Sequence, residues 1–296
     1  MGSLQLDWAW PWWSTIVIIN IINIIFCFKI YSKSIKERNV DNSVYLKAMR
    51  VMGLVFVMVA MYRAVFVSKY LTQLAWFDSF ANSALLIRIF AIAAELSFCG
   101  LFALSMLRLN KELPTNNKTQ ERGFKQLLYS YSPYVLVSCI FIAQFFATSG
   151  LITKNKTLFA IEESLWTFGF LSVIPLAVSQ YRHVYSITDK KKVARLKMFR
   201  SSTRIVVIWC FIYCSYGLFY HLPFENWTGA LNQIETGIPL IKSGASAISD
   251  AFSIVNETKE YSHWGFGFLL WHSAYFTICV WIALALMQAP RLIRIP

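Results

Sequence analysis

Seven stretches of about 20 apolar residues constrain what this chain can fold into. Lipid offers no partner to backbone polar groups, so only helices or closed barrels cross a bilayer, and a hydrocarbon core about 30 Å thick needs roughly 20 helical residues. Continuous apolar runs, such as Ile-Val-Ile-Ile at 16–19, favour helices over the alternating strands of a barrel. The predicted spans are 12–31, 47–67, 84–106, 134–152, 164–181, 205–222 and 265–287.

The composition agrees with an all-α, polytopic transmembrane bundle. Hydrophobic residues make up 57% of the chain and charged residues 15%, which is typical of an integral membrane protein. No repeat and no linker divides the sequence, so we predict one transmembrane domain over residues 1–296.

The basic residues predict how the bundle is oriented. Segments 29–50, 107–130, 182–204 and 288–296 contain 21 of the 28 Lys and Arg residues, and the segments between them contain few. Positive residues in short loops stay on the cytoplasmic side, so we predict an outward N-terminus and an inward C-terminus. The net charge of +13 then reflects orientation rather than nucleic-acid binding. Interface anchoring of the first span is expected from Trp8, Trp10, Trp12 and Trp13.

The most basic segment follows the fifth span on the predicted inner side. Each Lys or Arg near an anionic membrane surface contributes about 1 kcal/mol of attraction. We therefore predict contact with anionic lipids, with orientation of the bundle alone as the simpler alternative. The residues concerned are Lys190, Lys191, Lys192, Arg195, Lys197 and Arg200.

The predicted outer loop 223–264 is too long to be without structure. Apolar residues recur there at spacings of three and four, which indicates an amphipathic helix from about 240 to 255. That helix is expected either to lie on the outer membrane surface or to cover the bundle as a lid. The stripe comprises Leu231, Ile234, Ile238, Ile241, Ala245, Ile248, Phe252 and Val255.

Ionisable residues inside the spans cluster at one depth, in the predicted outer half. Such residues are costly in a bilayer and usually face the bundle interior. Arg88 and Glu95 are seven residues apart and therefore share a helix face, with Glu95 nearest mid-membrane. The sequence predicts a polar ligand pocket that opens outward. Its candidate residues are Arg63, Asp78, Arg88, Glu95, Glu162, Glu163, His221, His272 and Tyr275.

These charges have a simpler explanation as interhelical ion pairs that hold the bundle together. Polar pairs within membranes contribute about 0.6 kcal/mol on average, so they are not a strong reason to keep charges there. In the pocket hypothesis, Glu95 is the leading candidate for a functional carboxylate. Asp78, which precedes the third span, is a candidate partner for Arg63 or Arg88.

The sequence favours neither a metal nor a known cofactor. No two histidines are four residues apart and there is no His-Glu-x-x-His motif. The last span contains no Lys, which argues against a retinal Schiff base of the microbial-rhodopsin kind. The sequence identifies no other cofactor.

Three functions are compatible with these features. The first is binding of a small or lipidic ligand from the extracytoplasmic side, for transport or sensing. The second is an enzyme that acts on a lipid or small molecule at the outer leaflet, with glutamates and His221 or His272 as acid and base groups. The third is a structural membrane subunit. No catalytic motif favours the second function.

Overall fold

A computed structural model describes residues 9–33, 40–112, 123–187, 190–253 and 256–288. It contains seven helices that are long and apolar enough to cross a bilayer, which supports the predicted multi-pass membrane protein by length and composition. These candidate spans are Ala9–Tyr31, Asn42–Val65, Ala84–Lys111, Leu127–Thr153, Lys156–Ser186, Lys197–Thr236 and Phe266–Leu286.

The first five spans are uninterrupted α-helices. They are α1 (Ala9–Tyr31), α2 (Val40–Val65), α3 (Ala84–Glu112), α4 (Phe124–Thr153) and α5 (Lys156–Ser186). The last two spans each contain a π-helical segment. The sixth consists of α6 (Lys190–Tyr216), a π segment (Gly217–Trp227) and α7 (Thr228–Thr236), and the seventh of α10 (Phe266–Ala274), a π segment (Tyr275–Cys279) and α11 (Val280–Leu286).

The sixth span extends well beyond the predicted end at residue 222. Its helix continues to Thr236, so the first part of the predicted loop 223–264 is helical. Pro223 marks the change, because proline has no N–H to give to the α-helical ladder and its ring crowds the preceding turn. A π segment widens the turn around it, as π-bulges do inside α-helices.

The spans pack in chain order, and the seventh closes the bundle against the first two. Side-chain hydrogen bonds join α1 to the seventh span, from Asn20 Nδ2 to the Phe276 carbonyl at 3.2 Å and from Trp281 Nε1 to Asn23 Oδ1 at 3.2 Å. Gly53 allows α2 to approach α11 closely, because a Cβ there would lie 2.5 Å from the Cβ of Met287. Polar groups on α1 and small residues on α2 therefore position the last span.

Two loops at one end of the bundle form a cap, which we define as residues 66–83 and 237–265. Strands β1 (Ser68–Lys69) and β2 (Leu74–Ala75) pair antiparallel, and β3 (Asn256–Glu257) from the second loop pairs parallel with β2. Two short helices complete the cap, α8 (Gly244–Phe252) and α9 (Tyr261–Trp264). The connections that follow the second and the sixth spans therefore fold together.

Tryptophans hold the cap on the bundle. Trp76 is fully buried, and its ring stacks on Trp13 at 5.5 Å and contacts Trp10 at 5.4 Å and Trp264 at 6.0 Å. Of the tryptophans predicted as interface anchors, three thus pack around Trp76 and Trp8 lies outside the described residues. These tryptophans thus join α1 to the cap by aromatic packing, because indole rings bury large apolar areas.

Helix α8 is shorter than the predicted helix 240–255, and it packs through a different face. Its buried residues are Ala247 and Ala251, which lie against the ends of α3 and α4, whereas Ile248 of the predicted stripe is 48% exposed. Small alanines allow close contact with the two spans, so Ile248 turns outward, whereas Phe252 of the stripe stays partly buried and stacks on Phe80 at 5.7 Å. Of the remaining stripe, Ile241 is exposed and Val255 lies outside the described residues.

A polar fastening at Asp250 completes the contact between α8 and the bundle. The carboxylate lies 2.9 Å from Lys154 Nζ and 2.8 Å from Lys242 Nζ. The carbonyl of the same residue accepts a hydrogen bond of 2.7 Å from Gln73. Partial burial tends to raise the pKa of Asp250, but the hydrogen bonds from Lys242 and Lys154 outweigh it and hold the pKa below its ordinary value.

This lowered pKa predicts that the cap loosens in acid. A carboxyl with a lowered folded-state pKa stabilises the folded form above its ordinary pKa of 3.8, and this contribution is lost as the pH falls through the folded-state value. Asp250→Asn should therefore speed hydrogen exchange in α8 at neutral pH, and the difference from wild type should shrink in acid. Comparing the two proteins at each pH cancels the intrinsic exchange rate. Glu257→Gln, which affects an exposed pair with Lys259 in the same cap, is the control and should leave α8 unchanged.

Candidate functional site

Four ionisable side chains meet inside the bundle below the cap. We call Arg63, Arg88, Glu95 and Glu162 the charge cluster; they come from the last turn of α2, from α3 and from α5. Each side chain retains between 4% and 9% of its exposure. The sequence predicts one depth for these residues, and the fold turns all four inward.

Arg88 is the centre of the charge cluster. Its two terminal nitrogens donate to the two oxygens of Glu95 at 3.3 and 3.2 Å, in the bidentate geometry that suits a guanidinium and a carboxylate. Glu162 Oε1 lies 3.5 Å from Nη1. Gln144 of α4 accepts another hydrogen bond from Nη2, and its own amide nitrogen donates to the Ile140 carbonyl at 3.0 Å, which orients its oxygen toward the arginine.

Arg63 is less fully paired than Arg88. It donates a hydrogen bond of 2.9 Å to the Tyr70 hydroxyl, which belongs to the cap. Its nearest carboxylate, Glu95, is 3.9 Å away. The guanidinium also lies over the rings of Tyr275 at 5.4 Å and Phe276 at 5.2 Å, which are neighbours in the π segment of the last span. Aromatic faces thus provide much of its surroundings.

The formal charges of the cluster cancel, and its members depend on each other. Burial of an ionised group away from water is costly unless it is paired and hydrogen-bonded. The contacts of Arg88 join α3, α4 and α5, and those of Arg63 add α2, the cap and the last span. Any movement that separates these elements must therefore break or exchange ion pairs.

A second polar group lies nearer the surface of the bundle, in the π segment of the sixth span. The His221 ring is held between two carboxylates, with Nδ1 against Glu225 and Nε2 3.6 Å from Glu163. The Tyr216 ring stacks on His221 with a centroid distance of 5.2 Å. These side chains are partly exposed, unlike the charge cluster.

Asp78 lies apart from both groups, whereas His272 lies next to Arg63 of the charge cluster. His272 is buried among aromatic rings, with Trp12 at 5.1 Å and Phe276 at 4.3 Å, and its Nδ1 has no hydrogen-bond partner in the described part of the chain. Asp78 is exposed on the cap, and no described ion pair joins it to either arginine of the cluster. The predicted residues thus fall into three places, which are the charge cluster with Tyr275 and His272, the group around His221, and Asp78 on the cap.

The chemistry of these groups does not include a metal centre within the described ranges. No set of three or more His, Cys, Asp or Glu residues converges there in a way that suits a metal ion. His221 with Glu163 and Glu225 supplies a possible acid and base pair instead.

The basic segment lies at the opposite end of the bundle and begins α6. The side chains of Lys190, Lys191, Lys192 and Arg195 are outside the described part, and Lys197 is exposed. Arg200 binds within the protein, because it donates to the carbonyls of Val184 at 3.3 Å and Ile187 at 2.6 Å. A cation that binds the last carbonyls of α5 stabilises the end of that helix.

The predicted site residues omit, among others, Gln144, Glu225 and Tyr70. Gln144 was detectable as an amide within an apolar run, because such a side chain needs a partner in a bilayer. Glu225 falls in the predicted loop 223–264, because the predicted sixth span ends at residue 222. Tyr70 carried no local pattern, and only the folding of the cap places it against Arg63.

Comparisons with protein-family models, curated proteins and solved structures found no match to this chain. A fold alone would not define an activity in any case, because one fold can host many unrelated functions. Function must therefore be inferred from the chemistry of the site.

The pairing around Arg88 predicts strongly coupled effects on stability. Arg88→Gln leaves Glu95 and Glu162 without their cation and should lower the free energy of unfolding by about 3 kcal/mol. Glu95→Gln in the same chain should add much less than it costs alone, because its partner has already gone. Denaturant unfolding in detergent measures both values. Additive losses would contradict the pairing, and Arg204→Gln, at an exposed arginine of α6, is the control.

Proposed function

We propose that this chain is an integral membrane protein that binds a small or lipidic ligand from the extracytoplasmic side, for transport or sensing. The ligand site is the charge cluster together with Tyr70 and Tyr275. The distribution of Lys and Arg supports an orientation with the capped end outward and the basic end in the cytoplasm. In that orientation the basic segment that begins α6 contacts anionic lipids of the inner leaflet.

The burial of the charge cluster is the observation that carries this proposal. Insertion of one charged side chain at the centre of a membrane helix costs about 2.5–3.5 kcal/mol, and well-packed apolar residues hold helices together at least as well as buried ion pairs do. Two arginines and two glutamates at one depth are therefore difficult to explain by stability alone. Intramembrane groups of this kind mark ligand or ion pathways.

The cap provides a means of access to the cluster. Tyr70 of the cap touches Arg63 directly, and α8 is held to the bundle by small alanines and the polar fastening at Asp250. Loops that cover binding sites commonly open and close through contacts of this moderate strength. The amphipathic character of α8, with Ile248 turned outward, suits a helix at the outer membrane surface.

The π segments add a second route for movement. Tyr275 and Phe276 contact Arg63 from within one of them, and π-bulges occur frequently at functional sites. A change in the turn of the last span would move both rings relative to the guanidinium. The cluster is thus coupled to the cap on one side and to the seventh span on the other.

A ligand-induced stabilisation assay tests this function. Purified protein in detergent is screened by thermal unfolding against soluble metabolites and lipids, and a ligand at 100 times its Kd should stabilise the fold by about 2.7 kcal/mol, or roughly 5–10 °C. Glu95→Gln should remain folded and lose this shift, whereas Glu257→Gln on the exposed cap should retain it. If Glu95→Gln and Arg88→Gln both fail to fold, the charges serve a structural subunit instead.

The group around His221 favours a second candidate, an enzyme at the outer leaflet. An imidazole between Glu163 and Glu225, partly exposed at the bundle surface, has the geometry of a general acid or base. In this case turnover of a lipid by the protein in vesicles should fall by 10²-fold or more in His221→Ala, as expected for loss of a general base. His263→Ala, at an exposed histidine of α9, is the control. Equal turnover in both variants would exclude this function for His221.

A further inference from the structure

Arg63 and Tyr70 present hydrogen-bond donors that the protein itself does not use. The guanidinium has five N–H donors, and in the described part of the chain the Tyr70 hydroxyl is the single hydrogen-bond acceptor that they reach. The Tyr70 oxygen is an acceptor in that bond, so its own O–H remains as a donor, and no described residue accepts it. Both groups therefore offer donors at the same place.

This incomplete pairing is unusual for so buried a group. The Arg63 side chain retains 8% of its exposure, and buried polar groups are nearly always hydrogen-bonded. Arg88, which is similarly buried, binds two oxygens of Glu95 and the oxygen of Gln144 through its terminal nitrogens, and within the described ranges its Nε alone lacks a partner. The difference between the two arginines indicates that Arg63 lacks a partner that the protein does not supply.

The distribution of charge points to a negative partner. Both carboxylates of the cluster lie closer to Arg88, since Glu95 is 3.2 Å from it and 3.9 Å from Arg63, and Glu162 is 3.5 Å from Arg88. The positive end of the cluster is consequently Arg63, the member that touches the cap. An arginine fork together with a phenol hydroxyl matches the oxygens of a carboxylate.

The surroundings of Arg63 indicate what the rest of the ligand looks like. The rings of Tyr275 and Phe276 lie 5.4 and 5.2 Å from the guanidinium carbon, and the ring of Phe56 lies 6.0 Å from that of Tyr275. A ligand whose oxyanion contacts Arg63 would meet these apolar walls with its remaining atoms. Ligand sites typically combine such walls with a few polar groups that fix the orientation.

We propose that Arg63 and Tyr70 form the anion-binding part of the ligand site, and that the ligand is an organic carboxylate with an apolar body. This inference rests on the proposed function and names the ligand class for the same site. Arg63 provides the charge and one or two N–H donors, Tyr70 provides an O–H donor from the cap, and Tyr275 with Phe276 contacts the apolar body. A carboxylate bound there would also join the cap to the bundle.

Two probe pairs test the ligand class and its source. Benzoate and oleate represent a free acid and a lipid-derived acid, and benzamide and oleamide are their neutral counterparts. Saturation binding of radiolabelled acid to wild-type protein in detergent, with competition by each amide, requires no variant. We expect one or both acids to bind at a stoichiometry of one and the amides to compete poorly; the preferred acid identifies the source.

Variants then locate the acid. Arg63→Gln should abolish binding, and Tyr70→Phe should weaken it about tenfold, as for loss of one hydrogen bond to a charged group. Tyr62→Phe removes another phenol that bonds the cap at the same end of α2, and Arg204→Gln removes an exposed arginine; both should bind the acid normally. If Arg63→Gln does not fold, Tyr70→Phe and the competition by the amides still test whether this site binds a carboxylate.

The outcomes separate this inference from the proposed function. If acids and amides bind wild type equally well, and Glu95→Gln abolishes both, the site is confirmed and the carboxylate class is wrong. If neither acid binds wild type, the carboxylate class is overturned, while the screen with Glu95→Gln still tests the site with other ligands. Acid binding that is unchanged in both Arg63→Gln and Tyr70→Phe would also overturn the inference.

Discussion

The pairing of Arg88 with two carboxylates and an amide is the interaction on which the capped half of the bundle depends. In a medium where charges are poorly solvated, each ionised group requires a partner at short range. Arg88 meets that requirement for Glu95 and Glu162 and binds Gln144 as well. Three spans are thereby held at one level, and their helices are fixed in rotation, because each polar side chain must point at the same centre.

The cap and the last span are built around this centre rather than added to it. Tyr70 meets Arg63 from above, and the π segment at Tyr275–Cys279 places two aromatic rings against the same guanidinium. Trp76 anchors the cap to α1 by aromatic packing, whereas the fastening at Asp250 depends on charge. One attachment is therefore insensitive to pH and the other is not, which suits a cover that stays attached while one part of it moves.

Parts of this arrangement were predictable because they depend on local spacing. Apolar runs of about 20 residues identified the seven spans, and the interval of seven between Arg88 and Glu95 placed them on one face. The depth of the ionisable residues also indicated where the charge cluster lies. The length of the sixth span was not predictable, because Pro223 normally indicates the end of a helix and here a π segment accommodates it.

The sequence by itself determined a helical membrane protein of seven spans and the depth at which its charges lie, because hydrophobic length and helical period are properties of neighbouring residues. Only the tertiary structure decided which charges meet. It separated His221 with Glu163 from the charge cluster, left Asp78 exposed, and brought Tyr70 and Gln144 to the arginines. These contacts join residues far apart in the chain, and they depend on helix rotation and loop folding, which no local pattern specifies.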